Sequence, residues 1–425
     1  MKRSIPIKSS VLACIIAIVA ALLAVAILLC CIFWPRSLPT ISSSGAGSFI
    51  ADTAQSSEAP IINMESSREE LVSEIVSNVV SSTPSQTTNT QSQTTPPPQN
   101  IPTDIGSITP MQSRHPVAED GDSFDITLSF VGDMILATNK DSFYSGSFRD
   151  YAAEQDPTYF LSNVRHIFEA DDFTIANVEN VFSDRALIPV HKDYDPAFWF
   201  ISPASNINIL SSSGVEGAMI ANNHIRDYGT EGYNDSVAAI TNAGMQYGDA
   251  SRIMYFEKGG YVVAVICSGL WSESQANNIV NLIKQAENHS HYQAVIFHGG
   301  TEKIHAPEEW KQRAARKLVD NGADLVVGGH PHVLQPREIY NGVEIVYSIG
   351  NFCYGGHRYP ENRTVIYQMT LNIGKDLTLR SSASNMIPCY VYTGSINNFQ
   401  PAIVDDEIIK NRILDFMNGL IPSPV

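Results

Sequence analysis

The chain has 425 residues, of which 44% are hydrophobic and 17% charged, and its formal net charge is −17. This length allows two or three domains. Residues 1–122 carry a net charge of −4 and residues 123–425 one of −13. Because both segments are acidic, binding to nucleic acid through a basic surface is not expected. The six cysteines form no Cys-x-x-Cys pair, which argues against a thiol metal site or a disulfide scaffold.

The N-terminal region contains an uncharged stretch over residues 9–35, of which the part from Val11 to Trp34 is almost entirely apolar. This stretch is longer than the roughly 20 residues that span a bilayer, and about twice as long as the core of a cleaved signal peptide. We therefore expect an uncleaved transmembrane anchor. Three basic residues lie in segment 1–8 and only Arg36 follows closely, so the N-terminus is expected in the cytoplasm and the remaining chain outside the cell.

Residues 36–122 are polar and rich in Ser, Thr, Pro and Gln, and residues 81–100 contain only these four types and Asn. Such a composition cannot bury enough apolar area to offset the entropy lost on ordering. We expect a disordered linker here. The apolar residues between Leu71 and Val80 recur at helical spacing, which predicts a transient helix, with self-association as the alternative.

Beyond residue 122, short apolar runs alternate with stretches of helical periodicity. The runs predict strands at Ile126–Val131, Phe173–Val178, Ala218–Ala221, Tyr261–Cys267, Ala294–Phe297, Leu325–Val327, Ile345–Ile349 and Thr364–Asn372. The other stretches predict helices at Gly232–Ala243, Ser274–Glu287, Glu308–Asn321 and Glu407–Met417. This alternation is typical of a layered α/β domain with a mostly buried sheet. We expect the domain over residues 123–372, with residues 373–425 completing it.

Five of the predicted strands end in a carboxylate, an amide or an imidazole. In open α/β sheets the carboxyl ends of the strands line the ligand crevice. One such residue alone would be interpreted as a cap or a satisfied core residue, but their recurrence at neighbouring strand ends predicts a common site. The residues concerned are Asp133, Glu179, the Asn222-Asn223-His224 segment, His298, and His330 with His332.

The predicted site offers oxygen and nitrogen donors without cysteine, a set that fits Mn, Fe or Zn. A bridging carboxylate is the usual way to hold two such ions close together. Two ions about 3.5–4 Å apart clamp the attacking and leaving oxygens of a displacement and supply hydroxide at neutral pH. The sequence therefore predicts one or two divalent metal ions and hydrolytic chemistry.

Six motifs over about residues 125–352 resemble, in order, those of the CapA-type poly-γ-glutamate capsule synthesis proteins, whose domain is a variant of the calcineurin-like metallophosphoesterase fold. The first three motifs are Phe130-Val-Gly-Asp-Met, Ala176-Asn-Val-Glu-Asn and Asn222-Asn-His-Ile-Arg-Asp-Tyr-Gly-Thr-Glu-Gly. The last three are His298-Gly-Gly-Thr-Glu, Gly322-Ala-Asp-Leu-Val-Val-Gly-Gly-His-Pro-His-Val-Leu-Gln and Tyr347-Ser-Ile-Gly-Asn-Phe. The resemblance implies a metallophosphoesterase-like α/β fold.

The resemblance also implies a role for individual residues. Asp133 and His332 would bind a first metal, and Glu179 would bridge it to a second. The second metal would be completed by Asn223, His298 and His330. His224 would stabilise or protonate the leaving group, and Asp227 would orient it. Glu302, Asn222 and Asn351 are expected near the site as substrate contacts or supporting groups, Asn222 and Asn351 mainly as turn residues, and His191 and His357 remain possible substrate contacts.

Two positions depart from the family pattern. The first metallophosphoesterase motif is Asp-x-His, but position 135 is Ile, so the first metal would lack one ligand. Many relatives have Trp after the motif histidine, where this chain has Gly299. The second departure alters the wall of the pocket more than the metal site.

The resulting expectation is a membrane-anchored extracellular hydrolase that depends on metal and is linked to poly-γ-glutamate capsule or cell-envelope polymer biosynthesis. Its substrate would be an anionic polymer, a phosphoester or an amide, and other capsule-synthesis proteins would be its partners. The alternative is a non-catalytic binding or scaffold component of a polymer synthesis or export complex. The missing histidine at position 135 favours the alternative, and the otherwise intact ligand set favours the hydrolase.

Overall fold

A computed structural model of the chain describes residues 109–142 and 144–425. The predicted anchor over residues 9–35 lies outside the described residues, as does most of the predicted linker. Within the described ranges, no helix is both long and apolar enough to cross a bilayer. The described helices are α1 (Phe148–Glu154), α2 (Arg165–Ala170), α3 (Asn208–Ser211), α4 (Gly229–Asn242), α5 (Ala276–Ala286), α6 (Glu309–Val319) and α7 (Glu407–Met417).

Two mixed sheets carry most of the described strands. The strands are β1 Met111–Gln112, β2 Ser123–Ile135, β3 Phe173–Val178, β4 Val181–Phe182, β5 Ile201–Ser202, β6 Gly217–Met219, β7 Gln246–Gly248, β8 Met254–Lys258, β9 Tyr261–Gly269, β10 Tyr292–His298, β11 Leu325–Gly329, β12 Leu334–Tyr340, β13 Val343–Ile349, β14 Asn351–Tyr354, β15 Thr364–Gly374, β16 Leu379–Tyr390 and β17 Ala402–Ile403. Sheet A has the order β1-β8-β9-β10-β11-β13-β12, and sheet B the order β17-β16-β15-β2-β3-β6-β7, with β14 also paired to β2. The short strands β4 and β5 pair with each other.

The hydrophobic core is divided into layers by the two sheets. One cluster joins residues of both sheets, for example Leu128 and Phe130 of β2 with Val263 and Val265 of β9, so the sheets pack face to face. A second cluster joins sheet B to α1, α2 and α4, and a third joins sheet A to α5 and α6. Each central strand is therefore covered on both faces, which explains its continuous apolar sequence. The architecture is a mixed α/β fold of layered sheets, as the sequence predicts.

The chain passes from sheet A to sheet B at Gly350. This residue separates β13 from β14, has φ +73°, and its carbonyl accepts a hydrogen bond from Asp133 N at 2.9 Å. A Cβ atom at Gly132 would lie 2.0 Å from the same carbonyl oxygen, so the close approach requires glycine there. The two glycines therefore hold the carboxyl end of β2 against the crossover.

The structure corrects the predicted end of the linker. Met111 and Gln112 form β1, which pairs in parallel with β8 at the edge of sheet A, and the Ser113 hydroxyl bonds to Asp172. The prediction of disorder up to residue 122 is therefore wrong for this stretch. A two-residue strand is too short to produce a periodic pattern, so the composition of the region hides it.

Asp171 is a buried carboxylate at the end of sheet B where β3 begins. Its Oδ2 accepts a hydrogen bond from Thr174 Oγ1 at 2.7 Å, and burial raises the pKa of its carboxyl from 3.8 to about 7. The folded protein therefore retains a proton that the unfolded chain releases above about pH 4. Stability is consequently lost as the pH rises from about 4 to 7.

We expect Asp171→Asn to raise the free energy of unfolding by roughly 2–4 kcal/mol at pH 8 and to change it little at pH 4, because asparagine cannot ionise. Denaturant titrations at the two pH values measure this. The control is Asp172→Asn, which removes the ion pair with Lys258 Nζ at 2.8 Å and should destabilise. An equal gain for Asp171→Asn at both pH values would contradict the assignment.

Candidate metal centre

Two fully buried carboxylates form the floor of the site. Asp133 lies near the end of β2 and Glu179 directly follows β3, and both have 0% exposure. Asp133 Oδ1 accepts a hydrogen bond from Asn177 Nδ2 at 2.7 Å, and Oδ2 accepts one from His330 N at 3.0 Å. Glu179 differs, because neither of its oxygens has a hydrogen-bond partner among the described residues.

Three histidines from sheet A face these carboxylates. His298 ends β10, and its Nε2 lies 3.2 Å from Glu179 Oε1 and 2.8 Å from Asn223 Oδ1. The loop after β11 carries His330, whose Nδ1 lies 3.1 Å from His298 Nε2. The same loop carries His332, whose Nδ1 lies 3.2 Å from Asp133 Oδ2. The carboxyl ends of the two sheets thus meet at this site.

The donor atoms form two groups of the kind that hold a metal ion. One group contains Glu179, His330 and His332, and the other Asp133, Glu179 and His298. The atoms of each group lie within 4.8 Å of one another, and Glu179 is the shared member. The sequence assigns Glu179 as a bridge between two metals, which stays a prediction. The two groups separate His298 from His330, which the sequence assigns to one metal.

The backbone of the loop that carries His330 and His332 is strained. His330 has φ +92° and His332 has φ +58°, in the left-handed region that non-glycine residues rarely adopt. Each such conformation costs about 1–3 kcal/mol and persists only where the surroundings enforce it. The preceding Gly329 is equally constrained, because a Cβ atom there would lie 2.7 Å from Asp133 Oδ1. Strain at two donor residues that flank a single proline is typical of a functional site.

Burial and mutual contact shift the pKa values of the donors in opposite directions. Burial lowers the pKa of His330 to about 2, with its histidine neighbours adding to the effect. Burial also lowers the pKa of His332, but Glu179 and Asp133 outweigh it and raise the value to about 9. Burial alone would raise the pKa of Asp133, yet His332 and His298 hold it well below its usual range. The carboxylates therefore favour a positive charge beside them.

The chemistry of this donor set fits a divalent cation. A buried carboxylate without a hydrogen-bond donor leaves a charge that costs several kcal/mol unless a cation or a donor compensates it. Glu179 is in this position, and the groups around it are imidazoles, an amide oxygen and a second carboxylate. Oxygen and nitrogen donors of this kind suit Mn, Fe or Zn. The buried cluster could therefore hold a metal ion.

His224 lies at the rim of the donor cluster, and its ring contacts Asp227 and Phe200. Its Nε2 lies 3.9 Å from Glu179 Oε1, and its Nδ1 lies 2.8 Å from Asp227 Oδ2. Asp227 is itself fully buried and forms an ion pair with Lys192 Nζ at 2.6 Å. The ring of Phe200 packs edge-on against His224 at 4.7 Å. These contacts fix the orientation of the imidazole.

The other predicted site residues fall into supporting positions. The Asn222 side chain accepts bonds from His224 N and Ile225 N, which is a turn role. Asn351 Oδ1 lies 3.0 Å from His332 Nδ1, so it orients a donor histidine. Glu302, His191 and His357 are exposed. Glu302 acts electrostatically on His332. His191 pairs with Asp193, and His357 Nδ1 accepts a hydrogen bond from Tyr359 N.

The two departures from the family pattern have different structural consequences. Ile135 is fully buried against Phe200 and Tyr354, so an apolar contact replaces a possible ligand. At Gly299 a Cβ atom would lie 1.8 Å from Leu270 O, so this backbone tolerates only glycine. Trp271, from the end of the neighbouring strand β9, packs edge-on against the ring of His330 at 4.7 Å. An aromatic wall is therefore present, although it comes from another strand.

Sequence reasoning missed three residues of the site. Asn177 donates to Asp133 and lies 2.9 Å from His298 Nδ1, so it links the two sheets beneath the donors. Its position two residues before Glu179 in an extended segment was a usable signal, because residues i and i+2 share a face. Trp271 and Lys192 carry no such signal, because they reach the site from distant segments.

Residues 127–355 match the model of a protein family described as bacterial capsule synthesis protein PGA_cap. The chain belongs to this family. It is 28% identical over 272 residues to the PGA biosynthesis protein CapA of Bacillus subtilis (strain 168), covering 58% of this chain and 68% of that protein. It is 24% identical over 318 residues to the capsule biosynthesis protein CapA of Bacillus anthracis, covering 68% of this chain and 72% of that protein.

A solved structure, that of TT1561 from Thermus thermophilus, aligns with 62% of this chain and 99% of its own length. The TM-score is 0.32 and the sequence identity 12%. A likeness at this level carries no argument about fold or function. The family membership therefore rests on the sequence match, and the site geometry stands independently of it.

We expect His330→Ala to remove tightly bound divalent metal from the full-length chain, because it deletes a donor beside the shared carboxylate. Metal per chain is measured by plasma mass spectrometry after loading with Mn²⁺ and desalting. His166→Ala, at an exposed position of α2, is the matched control and should retain the wild-type metal content. Equal metal content in wild type and His330→Ala would show that the ion binds elsewhere.

Proposed function

We propose that this protein is a membrane-anchored, extracytoplasmic, metal-dependent hydrolase that acts in the synthesis of a poly-γ-glutamate capsule or another cell-envelope polymer. The observation that carries the proposal is Glu179, a fully buried carboxylate without a hydrogen-bond partner among the described residues, shared by two groups of metal-donor atoms. The capsule context is supported by the family membership and by the names of the two relatives.

In this proposal, one set of residues holds the metal and another transfers a proton. Asp133, Glu179, Asn223, His298, His330 and His332 would hold one or two divalent ions. Such ions, when bound, polarise the bond to be cleaved and lower the pKa of a water molecule. His224 turns its Nε2 towards the donor cluster, while Asp227 fixes its Nδ1. In the proposed reaction His224 Nε2 gives its proton to the leaving group.

A non-catalytic binding component of a polymer synthesis complex is the second candidate. The observation in its favour is Ile135, which is fully buried at the position where the metallophosphoesterase pattern has a histidine. The remaining ligands of the first metal would then hold it weakly. In this case the same cluster would bind the polymer or stabilise the domain without turnover, and other capsule-synthesis proteins would supply the chemistry.

The proposed localisation follows from the charge distribution around residues 9–35. Protease added to intact cells should remove the domain beyond the anchor, while a cytoplasmic marker protein remains intact. Immunoblotting of full-length protein with a C-terminal tag measures this, and lysed cells provide the control for protease activity. Protection of the domain in intact cells, with digestion after lysis, would reverse the proposed topology.

The proposed proton transfer gives a separate expectation. In the hydrolase, His224→Ala should lower turnover by about 10²–10⁴ and leave metal content near that of wild type, because losing a positioned general acid costs that much. Initial rates of the Mn²⁺-loaded full-length chain are measured on phosphomonoester, phosphodiester and γ-glutamyl amide substrates. Absence of turnover in wild type, or equal turnover in the variant, would favour the binding component.

A further inference from the structure

A second cavity lies beside the candidate metal centre and is built from the segment that follows β2. Its volume is about 380 Å³, at the lower end of the range for small-molecule sites. Residues 137–140, helix α1 and strand β5 supply most of its wall. Because residues 137–140 follow β2, which carries Asp133, this part of the wall lies just beyond the carboxyl end of that strand.

The charged groups that line this cavity are positive. Lys140 and Arg149 are part of the wall, and none of the lining residues is acidic. Lys140 Nζ pairs with Asp141 Oδ2 at 2.6 Å and lies 4.5 Å from the ring centre of Trp199. The side chain of Asp141 is 63% exposed, so water screens this pair and its contribution is small. In a segment of net charge −13, such a wall favours an anionic ligand.

The rest of the wall combines apolar and hydrogen-bonding groups. The apolar part is formed by Ala137, Phe148, Ala152, Ala153, Ile201 and Pro203. The polar part includes Thr138, Asn139, Ser202, Ser205 and Asn206. A compact inorganic anion would leave the apolar part without a partner. A ligand with short methylene chains, amide groups and carboxylates would match both parts.

Direct contacts connect the cavity to the candidate metal centre. Asn180 follows Glu179 in sequence, and its Nδ2 lies 3.5 Å from Ser202 Oγ in the cavity wall. Its Oδ1 accepts a hydrogen bond from Leu136 N at 2.8 Å, just before the lining segment begins. On another side, Asn139 Oδ1 accepts from Trp199 N, next to the Phe200 that packs against His224. The cavity wall and the metal centre are therefore linked through Asn180 and through the Trp199-Phe200 segment.

We propose that this cavity is a subsite for an acidic glutamyl segment of the polymer, held by its free carboxylates while a neighbouring part of the chain reaches the metal centre. The choice of polymer rests on the proposed function. Each γ-linked glutamyl residue offers one carboxylate, two methylene groups and one amide, which is the chemistry of the wall. Lys140 supplies the charge for the carboxylate, and Ala153, at the exposed edge of the wall, marks the space that the chain occupies.

The test measures binding of a γ-linked glutamate oligomer to the metal-free full-length chain by isothermal titration calorimetry. Lys140→Met and Ala153→Trp should each weaken binding by about 10- to 100-fold, the first by losing a charge-assisted hydrogen bond and the second by filling the space. Lys284→Met, which removes an exposed charge on α5, is the matched control and should bind as wild type does. Free glutamate and inorganic phosphate are the comparison ligands, and each should bind more weakly than the oligomer.

Wild-type affinity in both Lys140→Met and Ala153→Trp, with unchanged melting temperatures, would overturn the subsite. Equal binding of phosphate and the oligomer would also overturn it. Should one variant fail to fold, the other still decides, because one changes charge and the other volume. Oligomer binding that depends on Lys140, in a protein without turnover, would support the subsite and reject the hydrolase. Turnover that depends on His224, with wild-type oligomer binding in both Lys140→Met and Ala153→Trp, would reject the subsite and support the hydrolase.

Discussion

The site depends on the interaction between the Glu179 carboxylate and the imidazoles around it. This carboxylate is fully buried and receives no hydrogen bond from the described residues. His298 Nε2 lies 3.2 Å from its Oε1. Removing a carboxylate from water costs several kcal/mol unless a hydrogen-bond donor or a positive charge compensates it. The raised pKa of His332 provides such a charge in part, and a divalent cation would provide it fully.

The fold supplies the rigidity that this arrangement requires. The carboxyl ends of strands from both sheets meet at the site. At Gly350 the chain crosses from sheet A to sheet B, which places Asn351 of β14 beside Asp133 of β2. Asn177 then connects Asp133 to His298 by short contacts across the sheets. The strained backbone of His330 and His332 is held by two further hydrogen bonds. His330 N donates to Asp133 Oδ2 at 3.0 Å, and Asn351 Nδ2 donates to His332 O at 3.0 Å.

The sequence predicts the parts of this account that depend on local pattern. Strand Phe173–Val178 and helix Glu407–Met417 have the predicted bounds, since continuous apolar runs and helical spacing identify buried elements. The donor residues follow from polar groups at strand ends. Strand β16 was not predicted, because its segment Arg380–Asn385 is mostly exposed and polar. The contact of Trp271 with His330 and the cavity beside Lys140 depend on tertiary packing between distant segments, which no local pattern encodes.

The most direct test of the central claim is the effect of Mn²⁺ on the melting temperature of wild type and of Glu179→Gln. Glutamine keeps the shape of the side chain but removes the charge. We expect Mn²⁺ to raise the melting temperature of wild type, because binding to the folded state alone stabilises it. In Glu179→Gln that rise should vanish, while the melting temperature in chelator should equal or exceed that of wild type, because a buried unpaired charge is gone. An equal Mn²⁺-dependent rise in both proteins would contradict the claim that Glu179 holds the metal.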